Sequence, residues 1–264
     1  SVLPKRYWGK RLKTSRMRKL FLLCVLWLMI PDIGITQTVL IDRLQEAVSL
    51  DASSRHLFVL EQGKNRFLKL DFDGMLIDSL GSRGSGDYQL DEPADIDVSN
   101  GLRIYISDNG NDRIQVYDRR FQYLSSLPVK NPGAIHVTPF NEVLTFDGNT
   151  KTIRLFDEFG QERPRFNMPA EIRDVGRIKS NERRLFVLDS GAAVVHELER
   201  NGLYRSFYPA KSVTAMTTNM DRLFISDGKG IYASDSGEEV LNSPNTDVRD
   251  MVFVQCEGWY RLNP

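Results

Sequence analysis

Acidic residues recur at the ends of five short apolar segments and are the most visible groups that could do chemistry. The segments are LFVLE (57–61), IYISD (104–108), VLTFD (143–147), LFVLD (185–189) and LFISD (223–227). Carboxylates that converged on a central channel could hold a hard cation such as Ca²⁺, which takes about six to eight oxygen ligands. Each acid is also followed by a Gly-, Asn- or Ser-rich turn, where carboxylates accept backbone N–H bonds. Because a single cation site would not require an acid in every unit, the pattern favours turn closure.

The three histidines are the other candidate metal ligands. His136 lies in AIHVT, His196 in VVHELE, and His56 just before LFVLE, so each belongs to a different kind of segment. A zinc site needs about three His or carboxylate ligands that meet at one point, and these segments are not expected to converge. The sequence also has no G-x-S-x-G, H-E-x-x-H or P-loop motif. We therefore predict no catalytic residue, no metal site and no cofactor.

The elements that position these residues repeat along the chain. The five acids Glu61, Asp108, Asp147, Asp189 and Asp227 are about 40 residues apart, and each unit contains four short segments with the alternation of β-strands. Gly, Asn and Asp residues between the segments are typical of hairpin turns. Four antiparallel strands in about 40 residues are the signature of a β-propeller blade. The sequence thus predicts an all-β six-bladed propeller.

The second unit, LGSRGSGDYQLDEPADIDVSNGLRIYISDNGNDRIQVYD (80–118), resembles the NHL repeat. It has a Gly-rich connector, a Pro before the first strand, a Gly turn, a strand that ends in Asp, and an R-I-Q-V-Y-D strand. The other units resemble the repeat more loosely, over roughly residues 43–262. The resemblance implies a propeller; some such proteins are zinc-dependent lyases and others bind RNA, so the scaffold does not fix the function.

The blade count leaves the last unit incomplete. The five complete blades are predicted at 43–80, 91–127, 131–166, 170–208 and 210–243. Residues 247–264 provide two strands at most, and an incomplete blade exposes an open edge. The segment TVLID (38–42) is otherwise unassigned, and we expect it to supply the outer strand of the last blade.

The N-terminal 36 residues differ from the rest. The run LFLLCVLWLMI (20–30) follows Arg16, Arg18 and Lys19, and it is too short to span a bilayer, which takes about 20 apolar residues. This arrangement is typical of a secretory signal. We predict a signal region in 1–36, a propeller in 37–264, and export to the periplasm, the cell surface or the medium.

Polar and aromatic side chains are expected on one rim of the propeller, at the turns after the second strands and in the connectors between blades. The candidate binding residues are Lys64, Arg66, Arg83, Tyr88, Asn109, Arg113, Asn149, Lys151 and Lys229. The chain is neutral overall and its first 36 residues carry a net charge of +7, so the remainder carries −7, which argues against nucleic acid. We predict a non-catalytic docking module for a protein partner, with a glycan as a possible ligand and membrane contact only through an envelope assembly. The alternative is a metal-dependent hydrolase or lyase with its site in the central channel.

Overall fold

The computed structural model describes residues 40–41, 44–208, 212–219, 221–227, 230–242, 248–254 and 258–262. The predicted signal region, residues 1–36, lies outside these residues, as does most of TVLID. No described helix is long and apolar enough to cross a membrane. Residues from Leu40 onward form one compact unit.

Five blades are four-stranded antiparallel sheets, in which each strand pairs with the strand that follows it along the chain. Blades 1 and 2 contain β1 (Ala47–Ala52), β2 (Leu57–Glu61), β3 (Arg66–Leu70), β4 (Leu76–Leu80), β5 (Pro93–Asp97), β6 (Arg103–Asp108), β7 (Arg113–Asp118) and β8 (Tyr123–Pro128). Blades 3 and 4 contain β9 (Pro132–Val137), β10 (Val143–Asp147), β11 (Thr152–Phe156), β12 (Glu162–Asn167), β13 (Val175–Ser180), β14 (Arg184–Asp189), β15 (Val194–Glu199) and β16 (Tyr204–Tyr208). Blade 5 contains β17 (Ala215–Asn219), β18 (Arg222–Ser226), β19 (Gly230–Ala233) and β20 (Glu239–Asn242). The predicted alternation therefore identified all five complete blades.

A sixth sheet has two described strands, β21 (Asp250–Val254) and β22 (Gly258–Leu262). β21 contacts β17 of blade 5 and β1 of blade 1. On β22, the Trp259 ring lies 5.0 Å from the Phe224 ring of blade 5, and the Tyr260 ring lies 5.8 Å from the Phe72 ring of blade 1. The sixth sheet thus fills the space between the last and first blades.

In the part of the chain that the structure describes, the core consists of six apolar clusters, each shared by two neighbouring sheets. Phe67 of blade 1, for example, packs with Ile106 and Tyr117 of blade 2. Leu68 of blade 1 packs with Val252 and Leu262 of the sixth sheet. Because a blade has two apolar faces, it is stable only when both faces meet a neighbour. The ring of clusters is therefore what holds the strands in position.

The two ends of the strands form two faces with different loops. The connector face carries the turns 62–65, 109–112, 148–151 and 190–193 together with the connectors between blades. Short 3-10 turns, Gln62–Lys64 and Asn109–Asn111, shape the first two. The cavity face carries the turns between first and second strands, at 53–56, 98–102, 138–142 and 181–183.

Candidate functional site

The repeated acids close turns on the connector face, as the sequence predicts. Asp189 accepts backbone N–H bonds from Arg173, Asp174, Gly191 and Ala192, at 2.9 to 3.3 Å. These bonds outweigh the effect of burial and hold the pKa of Asp189 below its usual value. The carboxylate thus joins its own hairpin to the connector that precedes its blade.

Asp108 makes the most extensive of these networks. Its carboxylate accepts the Asp91 N–H at 2.7 Å and bonds from the side chains of Asn111, Arg113 and Gln115 at 2.8 to 3.0 Å. The other acids behave alike: Glu61 accepts the Gln45 N–H, Asp147 accepts the Asn149 and Thr150 N–H groups, and Asp227 accepts the Gly230 N–H. The acids therefore do not form the ring of channel carboxylates that a cation site required.

The predicted rim residues lie on the connector face, except Lys229, which is outside the described residues. Several of them contact other residues of the fold. Lys64 and Arg66 pair with Glu61, and Arg113 pairs with Asp108. Asn109 donates to Asn131 and Pro132, and Lys151 lies over the Phe146 ring. Asn149 is exposed and donates its N–H to Asp147. Arg83 is exposed and pairs with Asp91 at 3.1 Å, and Tyr88 is 47 % exposed.

A different set of charges, which was not among the predicted site residues, is buried along the first strands. Asp51, Asp95, Asp97 and Asp250 are all buried there, and each accepts a backbone N–H from the next sheet around the ring. Asp250 of the sixth sheet, for example, accepts the Leu50 N–H of blade 1 at 2.8 Å. These carboxylates connect neighbouring sheets at the centre of the ring.

Two cations from blade 4, the largely buried Arg177 and the buried Lys179, balance these acids. Arg177 lies 3.4 Å from Asp250 and donates to the Val48 carbonyl. The charge of Lys179 is attracted by all four of these carboxyl groups. Burial opposes protonation of both cations, but the carboxylates outweigh it and raise the pKa of Arg177 and of Lys179. Burial raises the pKa of Asp51 to about 7 despite the nearby Lys179. Asp95 is shifted in the same direction for the same reason.

His136 is at the centre of a hydrogen-bonded array of three side chains from three blades. Its Nδ1 lies 3.0 Å from Oδ2 of Asp97 on β5, and its Nε2 lies 2.9 Å from Oγ of Ser180 on β13. Burial alone would raise the pKa of Asp97, but the hydrogen bond and charge of His136, with Lys179 and Ser99, hold it at about 2. Asp97 is therefore a carboxylate at neutral pH. These two partners of His136 were not predicted from the sequence, because it is the ring that places neighbouring first strands side by side.

A cavity of about 610 Å³ opens above this array on the cavity face. His136 and Ser180 line it, together with polar side chains that include Thr138, Asn181, Glu182 and Asp221. This volume lies in the range of small-molecule sites, which is roughly 300 to 1,000 Å³. The candidate binding residues predicted from the sequence lie on the connector face, at the other end of the strands, and none of them lines this cavity.

The other histidines lie elsewhere. His56 is in the turn before β2, and His196 is on β15, where its Nε2 lies 3.7 Å from Asp189. Among the described residues, no three His, Cys, Asp or Glu side chains are arranged to hold a metal ion.

The sequence carried a signal for the buried charges. The segments S-L-D (49–51), D-I-D (95–97) and R-I-K (177–179) place polar groups at alternate positions of three first strands. Alternate residues of a strand share one face, so these groups had to lie together on one side. Their partners come from other blades, and that arrangement depends on the ring.

Comparison with known proteins agrees with this architecture. The NHL repeat family model matches residues 90–117, which include β5, β6 and most of β7 of blade 2. The chain is a β-propeller with an NHL repeat in its second blade. No curated protein sequence matches it.

Several solved structures share the fold at low sequence identity. A streptogramin B lyase matches with a TM-score of 0.63 and 12 % identity, over 84 % of this chain and 78 % of the lyase. Virginiamycin B lyase from Staphylococcus aureus matches with a TM-score of 0.60 and 14 % identity, over 85 % and 80 %. A protein of unknown function from Bacteroides caccae matches with a TM-score of 0.61 and 14 % identity, over 80 % and 83 %. At these identities the likeness concerns the fold.

Proposed function

We propose that this NHL-repeat propeller is a recognition module that docks a partner protein through its connector face. The observation that carries the proposal is the connector between blades 1 and 2, residues 81–92, which presents the exposed Tyr88 and Arg83. Tyr and Arg are the residues most enriched at the energetic centres of protein interfaces. The partner surface that fits them has an apolar socket for the Tyr88 ring and a carboxylate near Arg83.

The connector is held in one conformation by blade 2. Arg113 donates to the carbonyls of Gly86 and Gln89, and Tyr117 donates to the carbonyl of Asp87 at 2.8 Å. Asn111 donates to the carbonyl of Gly84 at 2.8 Å. Because these side chains fix the backbone, binding through Tyr88 costs little loop ordering. Arg113, which the sequence placed on the rim, thus supports the docking surface together with Asn111.

A photo-crosslinking amino acid tests which face docks the partner. We expect p-benzoylphenylalanine at position 88 to give one discrete adduct in envelope extracts. The same amino acid at position 140, an exposed residue of the cavity face, should not give it. Once the partner is purified, Tyr88→Ala should weaken its Kd by about 30-fold, since a central interface residue contributes about 2 kcal/mol. Tyr88→Phe, which keeps the ring, is the matched control. Equal crosslinking from both positions would refute the assignment.

We also propose that the protein is exported, as the apolar run 20–30 and its basic flank suggest. N-terminal sequencing of the protein from cells should find a start near Gln37. A protein that still begins at Met17, the methionine that precedes the apolar run, would exclude cleavage.

We propose further that the N-terminal segment completes the sixth blade. Leu40 and Ile41 pack on the apolar cluster shared by blade 1 and the sixth sheet. The Leu40 carbonyl lies beside Gly74, in the turn before β4, whereas the Gln45 carbonyl accepts the Gly63 N–H on the connector face. The segment therefore runs in the direction of β4 and β8, which is the direction of a fourth strand.

A further inference from the structure

We propose that Ser180 is a nucleophile activated by His136 and Asp97, and that the cavity above it takes carboxylic esters that are neutral or cationic. This activity is independent of docking at the connector face, which lies at the other end of the strands. Three observations support this activity: the geometry of the three side chains, their position in the wall of a cavity, and the acidic side chains that line the cavity.

The hydrogen bonds determine which groups donate and which accept. Both oxygens of Asp97 accept bonds: Oδ1 from the Ser99 N–H and hydroxyl, and Oδ2 from the Val137 N–H and His136. A carboxylate can only accept, so Nδ1 of His136 carries its hydrogen. In the neutral imidazole Nε2 is then an acceptor, and the Ser180 hydroxyl donates to it at 2.9 Å. This is the order of roles in a Ser-His-Asp triad, which is recognised by geometry and not by sequence position.

The three side chains are rigidly held because each comes from a first strand in the core. Asp97 is the last residue of β5, His136 lies within β9, and Ser180 is the last residue of β13. Their residues are 0 %, 4 % and 5 % exposed, yet His136 and Ser180 both line the cavity. A substrate in the cavity therefore reaches the serine and the histidine, while Asp97 is a positioning residue behind them.

The reaction that this arrangement supports is ester hydrolysis. Oγ of Ser180 bonds to the carbonyl carbon as its proton passes to Nε2 of His136. The bond from that carbon to the alkoxy oxygen then breaks, and the alcohol leaves with the proton from His136. Water attacks the resulting acyl-serine, gives its proton to His136, and Ser180 recovers that proton as the carboxylic acid leaves. The sum is ester plus water giving acid plus alcohol, with no other reactant.

The cavity's charges indicate which esters fit. Glu182 and Asp221 line it and would repel an anionic substrate. A choline ester and p-nitrophenyl acetate represent the cationic and neutral classes, and a succinate half-ester represents the excluded class.

A serine-directed sulfonyl fluoride tests the nucleophile in the full chain. Oγ of Ser180 displaces fluoride while His136 takes the proton, and peptide mapping should find a single adduct on Ser180. We expect Ser180→Ala to abolish labelling and hydrolysis, and His136→Gln or Asp97→Asn to slow labelling about 100-fold or more. Ser53→Ala is the matched control: this serine contacts His56 in a turn of the same face and should not change the rate.

Folding and reactivity are read separately. The melting temperature shows whether each variant is folded. If Ser180→Ala does not fold, iodoacetamide alkylation of Ser180→Cys is compared with that of Ser180→Cys/His136→Gln. A thiol that reacts about tenfold faster when His136 is present supports the proposal. Labelling at another residue, an absence of labelling in the folded wild type, or equal rates with and without His136 would overturn it. These outcomes do not bear on crosslinking from position 88.

Discussion

Asp51 illustrates how position in the ring, and not residue type, sets the chemistry of a side chain. Asp51 and Asp97 are both buried carboxyls on neighbouring first strands, and both accept an N–H from the next blade. Asp97 also bonds to His136 and has a pKa of about 2, whereas burial raises that of Asp51 to about 7. The same residue type is thus a carboxylate at one position and half protonated at neutral pH at the other.

Asp51 makes stability depend on pH. An unfolded Asp has a pKa of about 4, so between pH 4 and 7 the native state binds a proton that the unfolded state has lost. The contribution of Asp51 to the free energy of unfolding is therefore largest at low pH. It decreases as the pH rises from about 4 to 7 and stays constant above pH 7. Asp95, whose pKa is also raised, makes stability fall with rising pH in the same way. Asp97, whose pKa is lowered, makes stability rise with pH, and does so at lower pH. We expect Asp51→Asn to reduce the fall in melting temperature between pH 4.5 and 7.5, and Asp73→Asn, at an exposed turn, to leave it unchanged. Parallel profiles for wild type and Asp51→Asn would contradict this.

At the scale of single elements, the sequence predicted the strands and the turn-closing acids. LFVLD ends in Asp189, and the structure shows that carboxylate accepting four N–H groups of its own turn and connector. This could be predicted because hairpin bonds are local. The partners of His136 could not be predicted, since Asp97 and Ser180 are 39 and 44 residues away and meet it only when blades stack.

Asp108 should contribute more to stability than the other turn acids. Its removal leaves the buried Gln115 and the largely buried Arg113 without their carboxylate. We expect Asp108→Ala to lower the free energy of unfolding by about 3 kcal/mol, because it leaves a largely buried charge unpaired. Asp147→Ala should cost about 1 kcal/mol, because Arg154, the cation beside Asp147, keeps its ion pair with Glu162. Urea denaturation measures both values, with Asp73→Ala as the exposed control.

Millimolar Ca²⁺ should not raise the melting temperature, because the repeated acids close turns. A rise of several degrees would indicate a cation site.

At the scale of the whole molecule, the ring closes where the two ends of the propeller meet. Asp250 and Arg249 of the C-terminal part bond to Leu50 and Ala47 of blade 1, and Tyr260 donates to the Phe72 carbonyl at 3.3 Å. The sequence suggested that the ends meet, from the strand count alone. It did not show that a buried carboxylate from the sixth sheet makes part of the junction.

The proposed closure predicts that stability depends on the residues just before blade 1. Leu40 and Ile41 cover apolar side chains of both blade 1 and the sixth sheet, which include Val252 and Leu262. Leu40→Asp should therefore lower the melting temperature by several degrees, because it places a charge against this cluster. Deleting residues 37–42 should lower it further and promote oligomers, since the edge of β22 would then be free to pair with another chain. Leu124→Asp, at an exposed position of the outer strand β8, is the matched control. If Leu40→Asp and the deletion leave the melting temperature and the sedimentation profile at wild-type values, the N-terminal segment does not close the ring.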